Sequence, residues 1–155
     1  MTTDTQQEQH MSRVAVAVLF AAALAAPAGL AAQNQWERVV RSQVREHSSY
    51  LTDRGYEMIN EVYQGRLGNH EYELLTIDLQ AGRAYSFLGV CDQDCRDMDL
   101  RLYDPDGGEI DADVGDDDWP VVKVASARAG RYSIKVVMAS CSTDPCYYGV
   151  GAFKK

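Results

Sequence analysis

From Tyr56 to the C-terminus, apolar side chains recur at every second position, in short runs cut by turn residues. Leu75, Ile77 and Leu79 alternate with Thr76 and Asp78; Leu100 and Leu102 alternate with Arg101 and Tyr103; Tyr132, Ile134, Val136 and Met138 alternate with Ser133, Lys135 and Val137. Successive side chains of a strand point to opposite faces, so each run predicts a strand with one buried face. Turn signals stand between them at Gly68-Asn69, Ala81-Gly82, Asp104-Pro105-Asp106-Gly107-Gly108, Ala129-Gly130 and Asp144-Pro145. Residues 56–64, 85–90, 121–125 and 147–153 bring the count to seven or eight short strands with no helix between them. Parallel neighbours need a long crossover, usually helical, so the pattern excludes a parallel α/β sheet and predicts an antiparallel sandwich.

Before these strands the period changes. Trp36, Val40, Val44, His47 and Leu51 are spaced by three or four, with Glu37, Arg38, Arg41, Arg45 and Glu46 between them. This predicts an amphipathic helix over 36–53 that docks through Trp36, Val40, Val44 and Leu51, with His47 packed at the core edge. Gly55 follows the last periodic residue and suits the left-handed conformation that closes a helix.

Residues 14–26 form an alanine-rich apolar run preceded by Ser12-Arg13 and followed by Pro27, Gly29 and small residues. The run is shorter than the roughly 20 residues that a membrane-spanning helix needs. It predicts a secretory signal peptide cut after Ala28 or Ala31, and no stable membrane anchor. Residues 1–10 carry no Lys or Arg, so Met11 is an alternative start. The expected organisation is a signal peptide over 1–32, a helix over 33–55 and a β-sandwich over 56–155, located in the periplasm or secreted as a monomer. With 15 Lys+Arg against 23 Asp+Glu, the formal net charge of −8 argues against nucleic acid as a partner, because phosphate is bound through clustered Lys and Arg. Cations and basic partners remain.

Four segments carry a resemblance: 79–87 (Leu-Gln-Ala-Gly-Arg-Ala-Tyr-Ser-Phe), 97–107 (Asp-Met-Asp-Leu-Arg-Leu-Tyr-Asp-Pro-Asp-Gly), 129–136 (Ala-Gly-Arg-Tyr-Ser-Ile-Lys-Val) and 147–150 (Tyr-Tyr-Gly-Val). In this order they resemble the bacterial pre-peptidase C-terminal domain, a secreted jelly roll related to the collagen-binding modules of clostridial collagenases. The resemblance spans roughly residues 70–153 and implies an all-β, antiparallel, jelly-roll-like β-sandwich, here with an N-terminal amphipathic helix. It also implies an accessory, non-catalytic role, and calcium as a possible stabiliser.

Cys91 and Cys95 form a C-x3-C pair, and Cys141 and Cys146 a C-x4-C pair. In an exported chain an even cysteine count reads as disulfides, and of the three possible connectivities local closure favours Cys91–Cys95 and Cys141–Cys146.

Enzyme templates fail on counting. After residue 32 only His47 and His70 remain, and His70-Glu71 has Leu74 where a zincin motif needs its second His. No G-x-S-x-G elbow or P-loop occurs.

Between residues 92 and 118 there are twelve Asp or Glu against Arg96 and Arg101. Ca²⁺ takes six to eight hard oxygens, so Asp97, Asp99, Asp104, Asp106, Asp116, Asp117 and Asp118 are its candidate ligands if the 104–107 turn and the 116–118 loop meet at one edge. The bland alternative is a set of solvated loops. The functional expectation is a non-catalytic module that binds a protein, a polysaccharide or an envelope component, with no catalytic residues and Ca²⁺ as the one possible cofactor. The alternative is a small secreted hydrolase or hydrolase inhibitor that uses the loop carboxylates.

Overall fold

The structure, a computed structural model, describes residues 28–155, with side chains from Gln35 onward. The expected signal peptide therefore lies largely outside the described residues. Helix α1 (Ala28–His47) starts eight residues before the expected position 36 and runs to His47; a short helix α2 (Ser49–Thr52) follows at once. Gly55, at φ +82°, closes it: its N–H donates to the Thr52 carbonyl, and the Tyr56 N–H donates to the Leu51 carbonyl. These are the two bonds of a Schellman cap, which satisfy carbonyls that the helix end would leave bare.

Nine strands follow: β1 (Glu57–Met58), β2 (Tyr63–Leu67), β3 (Tyr72–Leu79), β4 (Tyr85–Cys91), β5 (Cys95–Tyr103), β6 (Glu109–Asp113), β7 (Val121–Val124), β8 (Gly130–Cys141) and β9 (Cys146–Lys154). One sheet has the order β1-β9-β4-β7, with β2 also paired to β9; the other has the order β3-β8-β5-β6. All pairings are antiparallel. From β2 onward the chain alternates between sheets, except for the β5–β6 hairpin, and the neighbour orders 2-9-4-7 and 3-8-5-6 define a jelly roll. Two expectations need correction. The run over 56–64 is two strands broken around Ile59–Val62, and residues 109–113, read as acidic loop, are strand β6. Glu-Ile-Asp-Ala-Asp has poor strand propensity and gave no signal. Tertiary contacts hold it instead: Asp113 Oδ2 accepts the Val121 N–H at 2.9 Å, and Asp111 Oδ2 accepts the Lys123 N–H at 2.7 Å. Strand β7 is the edge of its sheet, and these carboxylates cover amides that an edge leaves open.

The inner faces meet in one core that contains Phe87, Met98, Leu100, Leu102, Ile134, Val136, Met138, Tyr148 and Val150. A second core lies outside the β9–β4 sheet, where Val40, Val44 and Leu51 of the helices pack with Leu88, Val90 and Phe153. Thus β4 is buried at every position, and β9 at all but Tyr147 and Lys154. Fully burying Val40, Val44 and Leu51 is worth roughly 1.5–3 kcal/mol each. Trp36, half-buried, stacks on Tyr147 with ring centroids 6.1 Å apart. The helix comes this close because β9 presents Gly149 and Gly151 beneath it. A Cβ on Gly151 would stand 2.7 Å from Val44 Cγ1.

Candidate binding site

The cysteines are paired as Cys91–Cys95 and Cys141–Cys146. Cys95 and Cys141 face each other in the β5–β8 ladder, so the two disulfide loops lie side by side at one end of the sandwich. The Asp94 carbonyl accepts both the N–H and the hydroxyl of Ser142 at 2.7 Å, which ties the loops together. Asp92 is buried, and its carboxylate accepts the amides of Tyr147 at 2.9 Å and Asp94 at 3.2 Å. Burial pushes its carboxyl above the ordinary range, while these amides pull the other way. Asp92 is therefore a structural brace.

The seven carboxylates considered for Ca²⁺ separate into two groups. Asp104 and Asp106 lie in the β5–β6 turn. Asp104 Oδ1 accepts the amides of Asp106 and Gly108, and Arg128 Nη2 donates to Asp104 at 2.9 Å and to Asp106 at 2.7 Å. The Gly108 and Asp106 amides, with Arg128, hold the Asp104 carboxyl below its usual range. Asp97, Asp99, Asp116, Asp117 and Asp118 lie at the opposite end of that hairpin, beside the disulfides. The β6–β7 loop reaches them because Met98 donates its N–H to the Asp117 carbonyl at 3.0 Å. The two expected halves of a calcium site thus sit at opposite ends of β5. As the side chains stand, no three His, Cys, Asp or Glu groups among the described residues converge on a metal position.

The disulfide end is nevertheless electrostatically loaded. Burial raises the Asp97 carboxyl, and Asp116 and Asp117 raise it further; Asp99 is raised by burial, then by Asp97, against a lowering by Arg101, with smaller contributions from Asp113 and Asp116. Asp97 Oδ1 is shielded and has no partner. Register irregularities on both sides of Asp97 aim this stretch of β5, as bulges do. Within this acidic surround the β6–β7 loop exposes two apolar side chains, Val114 at 51% and Trp119 at 46%. The loop is ordered: Gly89 donates its N–H to the Pro120 carbonyl at 2.9 Å, Asp117 Oδ1 accepts the Trp119 N–H at 3.1 Å, and the indole stacks on His47 of α1 at 5.3 Å. His47 is thus half-buried and serves the loop as well as the helix. Trp119 and Val114 were not among the expected site residues, although a tryptophan after three aspartates in a polar loop is a readable signal.

Of the raised carboxyls, Asp92 is buried and accepts two backbone amides, and Asp97 and Asp99 are half-buried. Grooves occur elsewhere. One of about 310 Å³ lies on the outer face of the β3-β8-β5-β6 sheet, between Tyr72, Leu74, Tyr103 and Lys135. His70 holds φ +65° in the exposed turn before β3, and its N–H donates to the Met138 carbonyl.

No helix among the described residues is long and apolar enough to cross a membrane. No family model and no curated protein matches the sequence. Among solved structures the chain is similar to a periplasmic lysozyme inhibitor of g-type lysozyme from Aeromonas hydrophila. The identity is 14% over 61% of this chain and 85% of that one, with a TM-score of 0.47. It is also similar to the pre-peptidase C-terminal domain of a collagenase from Bacillus anthracis, at 12% identity over 61% of this chain and 89% of that one, with a TM-score of 0.49.

Proposed function

We propose that this chain is an exported, non-catalytic binding module whose β6–β7 loop docks on a basic protein surface. The carrying observation is the pair Val114 and Trp119, half exposed on an ordered loop and rimmed by Asp97, Asp99, Asp116, Asp117 and Asp118. An aromatic anchor at the centre of a patch supplies binding energy, and the charged rim steers a partner of opposite sign. The net charge of −8 extends that field over the whole chain. Two disulfides beside the loop fit an oxidising compartment, periplasmic or extracellular. A protein partner is favoured over a polysaccharide because the exposed Trp119 stands within an acidic rim, which attracts a basic surface and has no counterpart on a neutral sugar.

Calorimetric titration tests this reading. A g-type lysozyme is a practical first probe, with polylysine as a test of charge alone. Trp119→Ala should weaken protein binding by at least about 30-fold, the ~2 kcal/mol of a hot-spot residue. Asp116→Asn with Asp117→Asn should slow association and flatten its salt dependence. If neither the lysozyme nor polylysine binds at low salt, or if Trp119→Ala binds as the parent does, the reading is wrong. Ca²⁺ belongs in the same experiment as a competitor for the acidic rim.

A further inference from the structure

The helices cover only part of the β9–β4 sheet. Leu88 packs in the cluster that the helices cover, but the next outward residue of β4, Ser86, lies in a row with Lys123 of β7 and Phe153 of β9. There a groove of about 270 Å³ opens between the end of α2 and the edge strand, lined by Tyr50, Arg54, Tyr56, Ser86, Val121 and Lys123.

Three observations bear on this groove. Ser86 is 1% exposed, and the Tyr50 phenol stands against its shielded hydroxyl, so the two form a packed polar floor. Next, Arg54 and Lys123 both line the groove, and among the described residues neither is in a salt bridge. The Arg54 guanidinium is moreover held in place, donating to the Tyr50 carbonyl at 2.7 Å and lying 5.5 Å from that ring's centroid. Two acids stand at the groove's edge strand, Asp111, which lines the adjoining groove and accepts the Lys123 amide, and Asp113, which accepts the Val121 amide.

We propose that this groove binds a small ligand with one oxyanion head, a carboxylate, sulfate or phosphate, on a body the size of one sugar ring. The head sits between Arg54 and Lys123, and the ring lies between Tyr50 and Tyr56. Guanidinium and ammonium groups bind such oxyanions through charge-assisted hydrogen bonds, and tyrosines offer both an apolar face and a polar tip to a sugar. This site is separate from the protein-docking loop.

The test is amide-detected NMR of the full chain at fixed ionic strength, titrated with glucuronate, glucose 6-phosphate, glucose 6-sulfate, glucose, and inorganic phosphate and sulfate. The anionic sugars should move the amides of Arg54, Ser86 and Lys123 to saturation, and the class that binds most tightly names the head. Lys123→Gln should raise Kd about tenfold, the loss of one hydrogen bond to a charged group. That side chain is exposed, so the variant should melt as the parent does. Trp119→Ala should leave this titration unchanged, which keeps the groove distinguishable from the docking loop. The proposal is overturned if the anionic sugars leave these amides unmoved, or if glucose moves them equally. It is also overturned if Lys123→Gln binds as the parent does, or if inorganic phosphate or sulfate binds as tightly as its sugar ester, which would mean an adventitious ion only.

Discussion

Replacing Gly151 by Ala probes the contact that connects the helix to the sandwich and, through His47, to the Trp119 loop. The added Cβ would stand 2.7 Å from Val44 Cγ1 and 2.9 Å from Phe153 Cε2, where ordinary contacts begin near 3.4 Å. Either α1 lifts by about 0.7 Å or the Val44 and Phe153 side chains leave their rotamers, and overpacking of this kind costs about 1–3 kcal/mol. For a domain of roughly 120 residues the unfolding entropy is near 0.25 kcal/mol per degree, so the melting temperature should fall by about 4–12 °C. Val44→Ala alone removes two buried carbons at ~0.8 kcal/mol each and leaves a cavity, a loss of about 2–3 kcal/mol. The two changes are complementary in volume. Combined, they should cost about 1–2 kcal/mol less than their sum, measured by thermal and urea unfolding in a double-mutant cycle. Fluorescence of Trp119 should shift in Gly151→Ala and return in the double variant. If the single costs add to within about 0.5 kcal/mol, α1 does not rest on Gly151, and the docking described above is wrong.

The remaining predictions concern the edges and the acidic end. Asp113→Ala should uncover the Val121 amide, speed its hydrogen exchange, and destabilise the domain by about 1.5–3 kcal/mol; unchanged protection would remove the role given to β6. Opening the Cys141–Cys146 loop by Cys141→Ala with Cys146→Ala should cost about 2 kcal/mol, as expected for a loop this short, and urea unfolding of the oxidised parent beside the variant measures it. Asp97 has its carboxyl raised by burial and neighbouring aspartates, so its charged form is disfavoured in the folded state. That penalty is present above the raised folded value and is relieved as pH falls toward the unfolded one. Asp97→Asn should therefore raise the melting temperature at pH 7 by a margin that shrinks toward pH 4. Asp104 is lowered, so its stabilisation is present above the unfolded value and is lost as pH falls through the folded one; Asp104→Asn should destabilise at pH 7, and increasingly less below pH 4.

The strand pattern, the amphipathic helix, its closing glycine and the local cysteine pairs were all legible in the sequence, because each is decided by neighbours within one or two turns of chain. A period of two in 75–79 or 132–138 reports a half-buried strand wherever the strand ends up. The alternating positions of β4 and β9 could not reveal which of their two faces meets a sheet and which meets a helix, since both are apolar and both are buried. Strand β6 was invisible because what holds it is pairing with β5 and two carboxylates that reach amides eight and twelve residues away. The acidic run looked like one site because charge is counted along the chain. The hairpin β5–β6 sends Asp104 and Asp106 to Arg128 and keeps Asp97 and Asp99 beside the 114–120 loop. Likewise Arg54, Ser86 and Lys123 belong to three distant segments with no common motif. Composition and periodicity determine which elements form and which of their faces avoid water. Which side chains then converge depends on the order of strands in two sheets, a property of long-range pairing that no local pattern encodes.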